Sequence, residues 1–473
     1  MVDSAPSFLN RWIIPTLLLA VCARIPFLWL GYGEDPDAWL VAHAAKNLWD
    51  TGTYNPSRLP GYPIYEIVSA PLVALGGAAL SNAATLVASI ALLFPWWSIA
   101  RRWTRYPFLT FLPLAFAPIV WTTSTVTMDY IWSLLFIVLG LKAALESRPV
   151  VAGLAVGIAC GFRPSNFVLM IPLAVLLRYV GSGRQYVFRF LMATLATCII
   201  CFIPLLLKYG PVDWVRSTIV EMSDVLPPLP ERLAGFSYRT VYFLGPLASL
   251  TVLIVLVNRF KDLRQALRDH DPIITSAVVA IAAYLLLFLG LPLERAYLLP
   301  MLPFLCLMVA RLASRLWQIV FVAAIVSLSL FNPDVISHTI GPRSCRFTIR
   351  EGRIAEAWQL RKETLRMRER IPCLRFERET FLMVGDVIPL AFENALLETD
   401  STTDKTRFSQ PVLRSRLRPE LHFVNYLTPT QVMWERSKGS DIYCLQAAQR
   451  HVETVTNCSL AKIGVHVLSP PRE

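Results

Sequence analysis

WIIPTLLLAVCARIPFLWLGYGEDPDAW, residues 12 to 39, joins an apolar run directly to a knot of negative charge. From Trp12 to Leu30 the only charged residue is Arg24. A bilayer crossing takes about 20 apolar residues, so the run is long enough to span. No small-residue cleavage site follows it and further apolar runs do, so it reads as a retained first helix, not a removed signal. The chain then enters Glu34, Asp35 and Asp37. The question is what three carboxylates do where a span ends.

Composition supports the membrane reading. Of 473 residues, 55% are hydrophobic and 16% charged, against about 25% charged in soluble domains. Eleven stretches read as spans: 12–32, 66–98, 106–121, 128–146, 149–162, 166–180, 188–207, 240–257, 273–290, 297–311 and 316–332. The fold expected is an α-helical polytopic membrane protein of about 11 transmembrane helices. The balance of 45 Lys+Arg to 33 Asp+Glu, a formal +12, matches loops that collect cations on the cytoplasmic side. No aromatic-and-basic module accompanies it, so no nucleic-acid partner is expected.

The cations also orient the chain. Arg101, Arg102 and Arg105, then Lys142 and Arg148, then Arg178, Arg184 and Arg189, then Arg259, Lys261, Arg264 and Arg268, then Arg311 and Arg315 all fall on one side of an eleven-span count. That side is cytoplasmic by the positive-inside rule. The loop 33–65 and everything after residue 333 are then outside, and the expected location is the inner cell membrane, multi-pass.

Residues 334–473 read differently from 1–333. Ala355 to Arg370 and Pro429–Lys438 read as helices, and Thr380–Val384, Leu421–Tyr426 and Ile442–Leu445 as strands, a small C-terminal α/β extracytoplasmic domain. Its four cysteines, Cys345, Cys373, Cys444 and Cys458, predict two disulfides with three possible pairings. The other five (Cys22, Cys160, Cys198, Cys201, Cys306) lie in apolar spans as small core residues.

Several charges remain on the outer face: Glu34, Asp35, Asp37, Arg58 and Glu66 around the first loop, Arg163 in GFRPSN, Arg216, Arg232 and Arg239 after span seven, and Glu294 and Arg295 in LERAYLLP. Ionisable groups at a membrane usually face a cavity or pair with each other, so these side chains are expected to converge on an outward-facing pocket. A local reading stands beside that one. Asp35 suits a helix N-cap, Pro36 the first helical position and Asp37 the first turn, followed by an amphipathic helix AWLVAHAAKNLW. His43 reads as an interfacial residue on that helix, and a lone outer arginine as a snorkelling side chain.

The stretch DAWLVAHAAKNLWDTGTY, followed by SRLPGYPIYE, resembles the first outer loop of GT-C glycosyltransferases. The similar branch holds bacterial protein O-mannosyltransferases, aminoarabinose transferases of lipid A and Rgt-like enzymes. VAGLAVGIACGFRPSN and ERAYLLPMLPF resemble two further stretches of that family, and the likeness covers roughly residues 8–333. The register puts Asp37 on the family's catalytic Asp and Gly52 on a family glycine. Many relatives carry Asp-Glu in tandem; here Ala38 follows Asp37 and the second acid, Asp35, lies upstream, so either could be the base.

The resemblance implies an inverting transfer of a sugar from a polyprenyl-phosphate donor to a lipid, glycan or protein acceptor outside the membrane. A lipid phosphate leaves without a general acid, so one carboxylate base and several cations suffice. Asp37 and Asp35 are the candidate base, and Arg58, Arg163 and Arg295 the candidate phosphate clamps. Glu34, Tyr62 and Tyr297 are candidates for substrate contact. A divalent metal could join Glu34, Asp35 and Asp37, but three acids identify none. The reading from another class is a multi-span lipid or solute transporter or flippase. Against it, no internal repeat is visible and the charges gather at one face.

Overall fold

The computed structural model describes residues 11–181, 183–226, 228–337, 345–370, 378–383, 397–399, 413–415, 421–424, 427–445, 460–463 and 465–468. The chain divides into two compact units, one comprising 1–29, 44–332 and 351–355, the other 30–43, 333–350 and 356–473.

The first unit is helical. Its elements are α1 (Ile13–Cys22), the second part of α2 (Pro36–Thr51), α3 (Pro63–Trp103), α4 (Pro107–Phe116), α5 (Pro118–Thr123), α6 (Tyr130–Leu145), α7 (Pro149–Phe162), α8 (Met170–Val180), α9 (Arg184–Val225), α10 (Leu229–Leu244), α11 (Pro246–Asn258), α12 (Phe260–Arg268), α13 (Pro272–Gly290), α14 (Leu302–Leu312) and α15 (Arg315–Ser327). Proline opens many of them, at the position where a missing N–H costs nothing. All eleven apolar stretches carry helix. Among the described residues, four helices are long and apolar enough to cross a membrane: Pro63–Trp103, Arg184–Val220, Pro272–Gly290 and Arg295–Leu312. A fifth crossing forms if Leu229–Leu244 and Pro246–Asn258, bent by 90°, count as one. The other apolar helices are shorter, 10–17 residues. The exposed side chains on these helices are themselves apolar, as with Leu75, Val87, Leu207 and Leu286. Water would not stabilise such a surface, whereas hydrocarbon does. This is a polytopic membrane protein.

Close helix packing depends on small residues. On α7, Gly153, Gly157 and Gly161 recur every four residues and face α9. A β-carbon at Gly153 would lie 2.5 Å from the Phe190 carbonyl oxygen, and one at Gly157 2.4 Å from Thr197 Cβ. The two backbones therefore approach as only a small-residue seam allows, the usual device where no hydrophobic effect drives helices together. Polar side chains tie other pairs: Thr127 donates to Ser81 and Asn82, and Asn166 donates to Ser133 and accepts from Tyr284. Arg24, fully buried, donates to the carbonyls of Ala20 at 3.2 Å and Ala115 at 2.7 Å. Ala115 lies where α4 ends before Pro118, so the guanidinium serves a carbonyl at a broken helix.

The second unit contains the start of α2, the helices α16 (Arg353–Arg370, from Glu356 on) and α17 (Pro429–Ser437), and two sheets. Strands β1 (Phe331–Ser337) and β2 (Cys345–Glu351) pair, and six strands run in the order β4-β5-β6-β3-β7-β8. The central strands β3 (Thr380–Met383), β6 (Leu421–Val424) and β7 (Asp441–Leu445) are parallel, as is β8 (His466–Leu468) to β7. Strands β4 (Leu397–Thr399) and β5 (Leu413–Ser415) add antiparallel. A capping box starts α17: Thr428 accepts from the Gln431 N–H, and the Gln431 side chain accepts from the Thr428 N–H. Cys444 is buried in β7. Cys373 and Cys458, and the side chain of Cys345, lie outside the described residues, and with them the expected disulfides.

Candidate active site

In the first unit, the segment from Gly52 to Tyr62 is held in place before it contributes any chemistry. Gly52 ends α2 with φ +68°, a left-handed turn that a side chain would resist, and its N–H reaches the Leu48 carbonyl. Glu66, buried in the first turn of α3, then gathers the segment. It accepts from the Tyr54 hydroxyl at 2.5 Å, the Ser57 N–H at 2.7 Å and the Ser57 hydroxyl at 2.6 Å. Burial, and then the Glu66 charge, push the Tyr54 phenol up from its ordinary value, so it stays a donor. On the other side, Trp214 donates to the Pro60 carbonyl at 2.7 Å, and Lys208 bonds Asn55 and the Tyr54 carbonyl. Gly61, at φ +93°, passes so near Leu205 that a β-carbon would meet it at 2.6 Å. The segment is pinned at both faces.

What it presents is Arg58. The Arg58 guanidinium stacks 4.1 Å from the Tyr62 ring centre and lies 3.5 Å from Asp129 Oδ1. The other Asp129 oxygen takes Arg163 Nη1 at 2.7 Å. Arg163 in turn sits 4.1 Å from the Tyr130 ring centre, 4.7 Å from Tyr297 and 5.8 Å from Tyr62. Tyr130 donates to Glu294 at 2.5 Å. Two guanidiniums thus share one fully buried carboxylate inside a cage of tyrosine rings.

The contributors stand at helix ends. Tyr62 immediately precedes α3, Asp129 precedes α6, Arg163 follows α7, and Tyr297 lies in the 3₁₀ turn Arg295–Met301 before α14. The starts of α3, α6 and α14 and the finish of α7 therefore meet at one end of the helical unit. The cations in the last turns of α3, α6 and α14 are at the opposite ends.

The two arginines are not equivalent. Arg163 is locked, with a short contact and 6% side-chain exposure. Arg58 has the longer contact, 3.5 Å, and 13% exposure. An incoming phosphate would meet oriented donors that need little rearrangement.

Of the sequence candidates, the structure brings Arg58, Arg163, Tyr62 and Tyr297 together around Asp129. Arg295 is half-buried at the start of its turn and is not one of the groups that reach that carboxylate. Sequence reasoning missed Asp129. In STVTMDYIW an acid before an apolar run looks like a helix cap, yet Asp129 makes no side-chain cap bond. The available signal was its position, an acid at the outer end of span four by the same loop count that flagged the arginines.

The remaining candidates belong to the second unit. The Asp35 side chain accepts the Asp37 N–H at 2.9 Å, a cap at the start of α2. Asp37 is half-buried in the first turn. Glu34 is paired with Arg361 at 2.6 Å, and Arg361 is itself fully buried. Trp39 donates to the Gly33 carbonyl at 3.0 Å, which fixes the approach to the helix. Asp35 and Asp37 each bring a carboxylate oxygen within 4.8 Å of the other. Glu34, expected beside them as a metal ligand, is instead paired with Arg361, and two carboxylates alone identify no metal.

No protein-family model matches this chain, and no curated protein matches it. Among solved structures, it is similar to the crystal structure of ArnT from Cupriavidus metallidurans in the apo state, at 15% sequence identity and a TM-score of 0.44. The match covers 68% of this chain and 63% of that one, so the chain spans less than two thirds of its length. The fold and site define a helical membrane protein with a buried Arg–Asp–Arg centre walled by tyrosines.

Proposed function

We propose that the chain is a GT-C-type membrane glycosyltransferase that moves a sugar from a polyprenyl-phosphate donor to an acceptor on the extracytoplasmic side. The observation that carries this reading is the Arg58–Asp129–Arg163 group at the end of the apolar helices. An anionic head on an apolar chain is the ligand such a place suits, with charge at the helix ends and hydrocarbon along the helix sides.

In the proposed reaction the acceptor hydroxyl oxygen attacks the anomeric carbon. The bond from that carbon to the phosphate oxygen breaks, and the phosphate leaves on its lipid. Arg58 receives the growing negative charge, with Arg163 and Asp129 fixing its surroundings and Arg295 as a third cation. The acceptor's proton passes to Asp37, with Asp35 its partner or replacement. Attack opposite the leaving group inverts the sugar. Glu34, Tyr62 and Tyr297 are the proposed substrate contacts. The role of Asp37 rests on the resemblance of its loop to GT-C first loops and on its position in the first turn of α2. The second unit, including residues 334–473, is proposed to lie outside the inner membrane.

The test is to incubate the purified protein with labelled polyprenyl-phosphate sugars and candidate acceptors. The Asp37→Asn protein is expected to bind donor as wild type does and to lose transfer by about 100-fold or more, the range for removing a general base. Unchanged transfer removes Asp37 from the mechanism. Movement of the lipid across vesicles with no new glycoside would favour a flippase instead.

A further inference from the structure

Helix α12 takes no part in the proposed reaction. Its sequence, FKDLRQALR, contains no buried residue, although it joins two apolar helices, α11 and α13. At about 100° per residue, Phe260, Leu263, Ala266 and Leu267 fall on one face. Lys261, Arg264 and Arg268 fall together in an arc of about 60° beside that face. Leu263 and Leu267 are half-buried, Phe260 is 60% exposed, and the three cations are exposed. The one acid in the helix, Asp262, is paired with Arg259 at 3.1 Å. Its charge is therefore directed at Arg259 and away from the ridge formed by the other three.

The flanking chain sets the depth. Immediately before α12, Val257 at the end of α11 is 66% exposed, as apolar as the lipid it would face. Immediately after, Asp271 caps α13 by accepting from the Ile273 and Ile274 N–H groups, and pairs with Arg311 at 2.5 Å. The helix thus sits where two apolar helices end in charged residues. An apolar face bordered by a row of cations is the pattern of a helix lying in the plane of the membrane surface.

We propose that α12 lies in the membrane interface and holds the phosphate groups of anionic phospholipids through Lys261, Arg264 and Arg268. The occupant follows from the charge and the apolar face together. A soluble polyanion would use the cations but leave Phe260 in water, whereas a lipid surface takes both. This site is separate from the Arg58–Asp129–Arg163 centre and does not depend on the glycosyltransferase reading.

The full chain, purified in detergent, should be titrated with phosphatidylglycerol and with phosphatidylcholine, and bound lipids counted by native mass spectrometry. Wild type is expected to prefer phosphatidylglycerol. The variant Lys261→Gln/Arg264→Gln/Arg268→Gln should bind it at least about tenfold more weakly, since each cation near an anionic surface contributes about one charge's attraction. Equal affinity for the two lipids, or an unchanged variant, overturns the proposal. A second measurement needs no variant: amide exchange across 259–268 should be slower in phosphatidylglycerol nanodiscs than in phosphatidylcholine nanodiscs. Equal exchange overturns it, as does stronger retention of soluble polyphosphate than of phosphatidylglycerol by the same three cations.

Discussion

If Asp129 and Arg163 form one buried unit, replacing both should cost little more than replacing either. Their contact is 2.7 Å, with side-chain exposures of 6% for Arg163 and 0% for Asp129. At an effective dielectric of about 20, unit charges that close attract by about 6 kcal/mol, before the cost of removing them from water. Removing Asp129 strands Arg163, and removing Arg163 leaves Asp129 with only the long Arg58 contact, losses of about 3–5 kcal/mol, while removing both leaves only Arg58 without its 3.5 Å partner. Asp129→Asn and Arg163→Met are therefore each expected to destabilise by about 3–5 kcal/mol. The double variant should fall in the same range and not at the sum, a coupling about as large as either single cost, about 3–5 kcal/mol. Arg58→Gln breaks only the 3.5 Å contact and leaves Asp129 paired with Arg163, so it should cost less than either Asp129→Asn or Arg163→Met. Denaturant unfolding of the four proteins in micelles, followed by tryptophan fluorescence, gives the cycle. Additivity within about 0.5 kcal/mol would refute the reasoning, because it would mean that the two charges do not depend on each other.

Two further outcomes follow from the helical unit. Gly157→Val places a β-carbon 2.4 Å from Thr197 Cβ, with the Thr194 carbonyl 3.0 Å away, so it should destabilise by about 1–3 kcal/mol or more. Gly290→Ala, which meets no atom within 4 Å, is the silent control in the same melting experiment. Glu66→Gln removes the charge from three short hydrogen bonds, each worth about 1.5–3 kcal/mol when an ion accepts. Amide exchange over 52–62 should rise and donor affinity fall through loss of Arg58 placement. Unchanged exchange would show that the segment is held by other contacts.

The features that the sequence displayed are the ones local physics controls. Apolar runs became helices because a backbone in hydrocarbon has to satisfy its own hydrogen bonds. Asp35 and Pro36 started α2 as read, because caps are decided within a few residues. The close approach of α7 to α9 at Gly153, Gly157 and Gly161, by contrast, became visible only in the packed helices.

Tertiary structure alone decided the pairings. Arg58 and Arg163 reach Asp129 across 71 and 34 residues, Arg24 reaches Ala115 across 91, and Arg361 reaches Glu34 across 327. A carboxylate before an apolar helix has the same sequence pattern whether it caps that helix or neutralises two arginines. Which it does depends on what the packed helix ends bring within about 4 Å, and charge partnership over such distances in the chain leaves no local pattern.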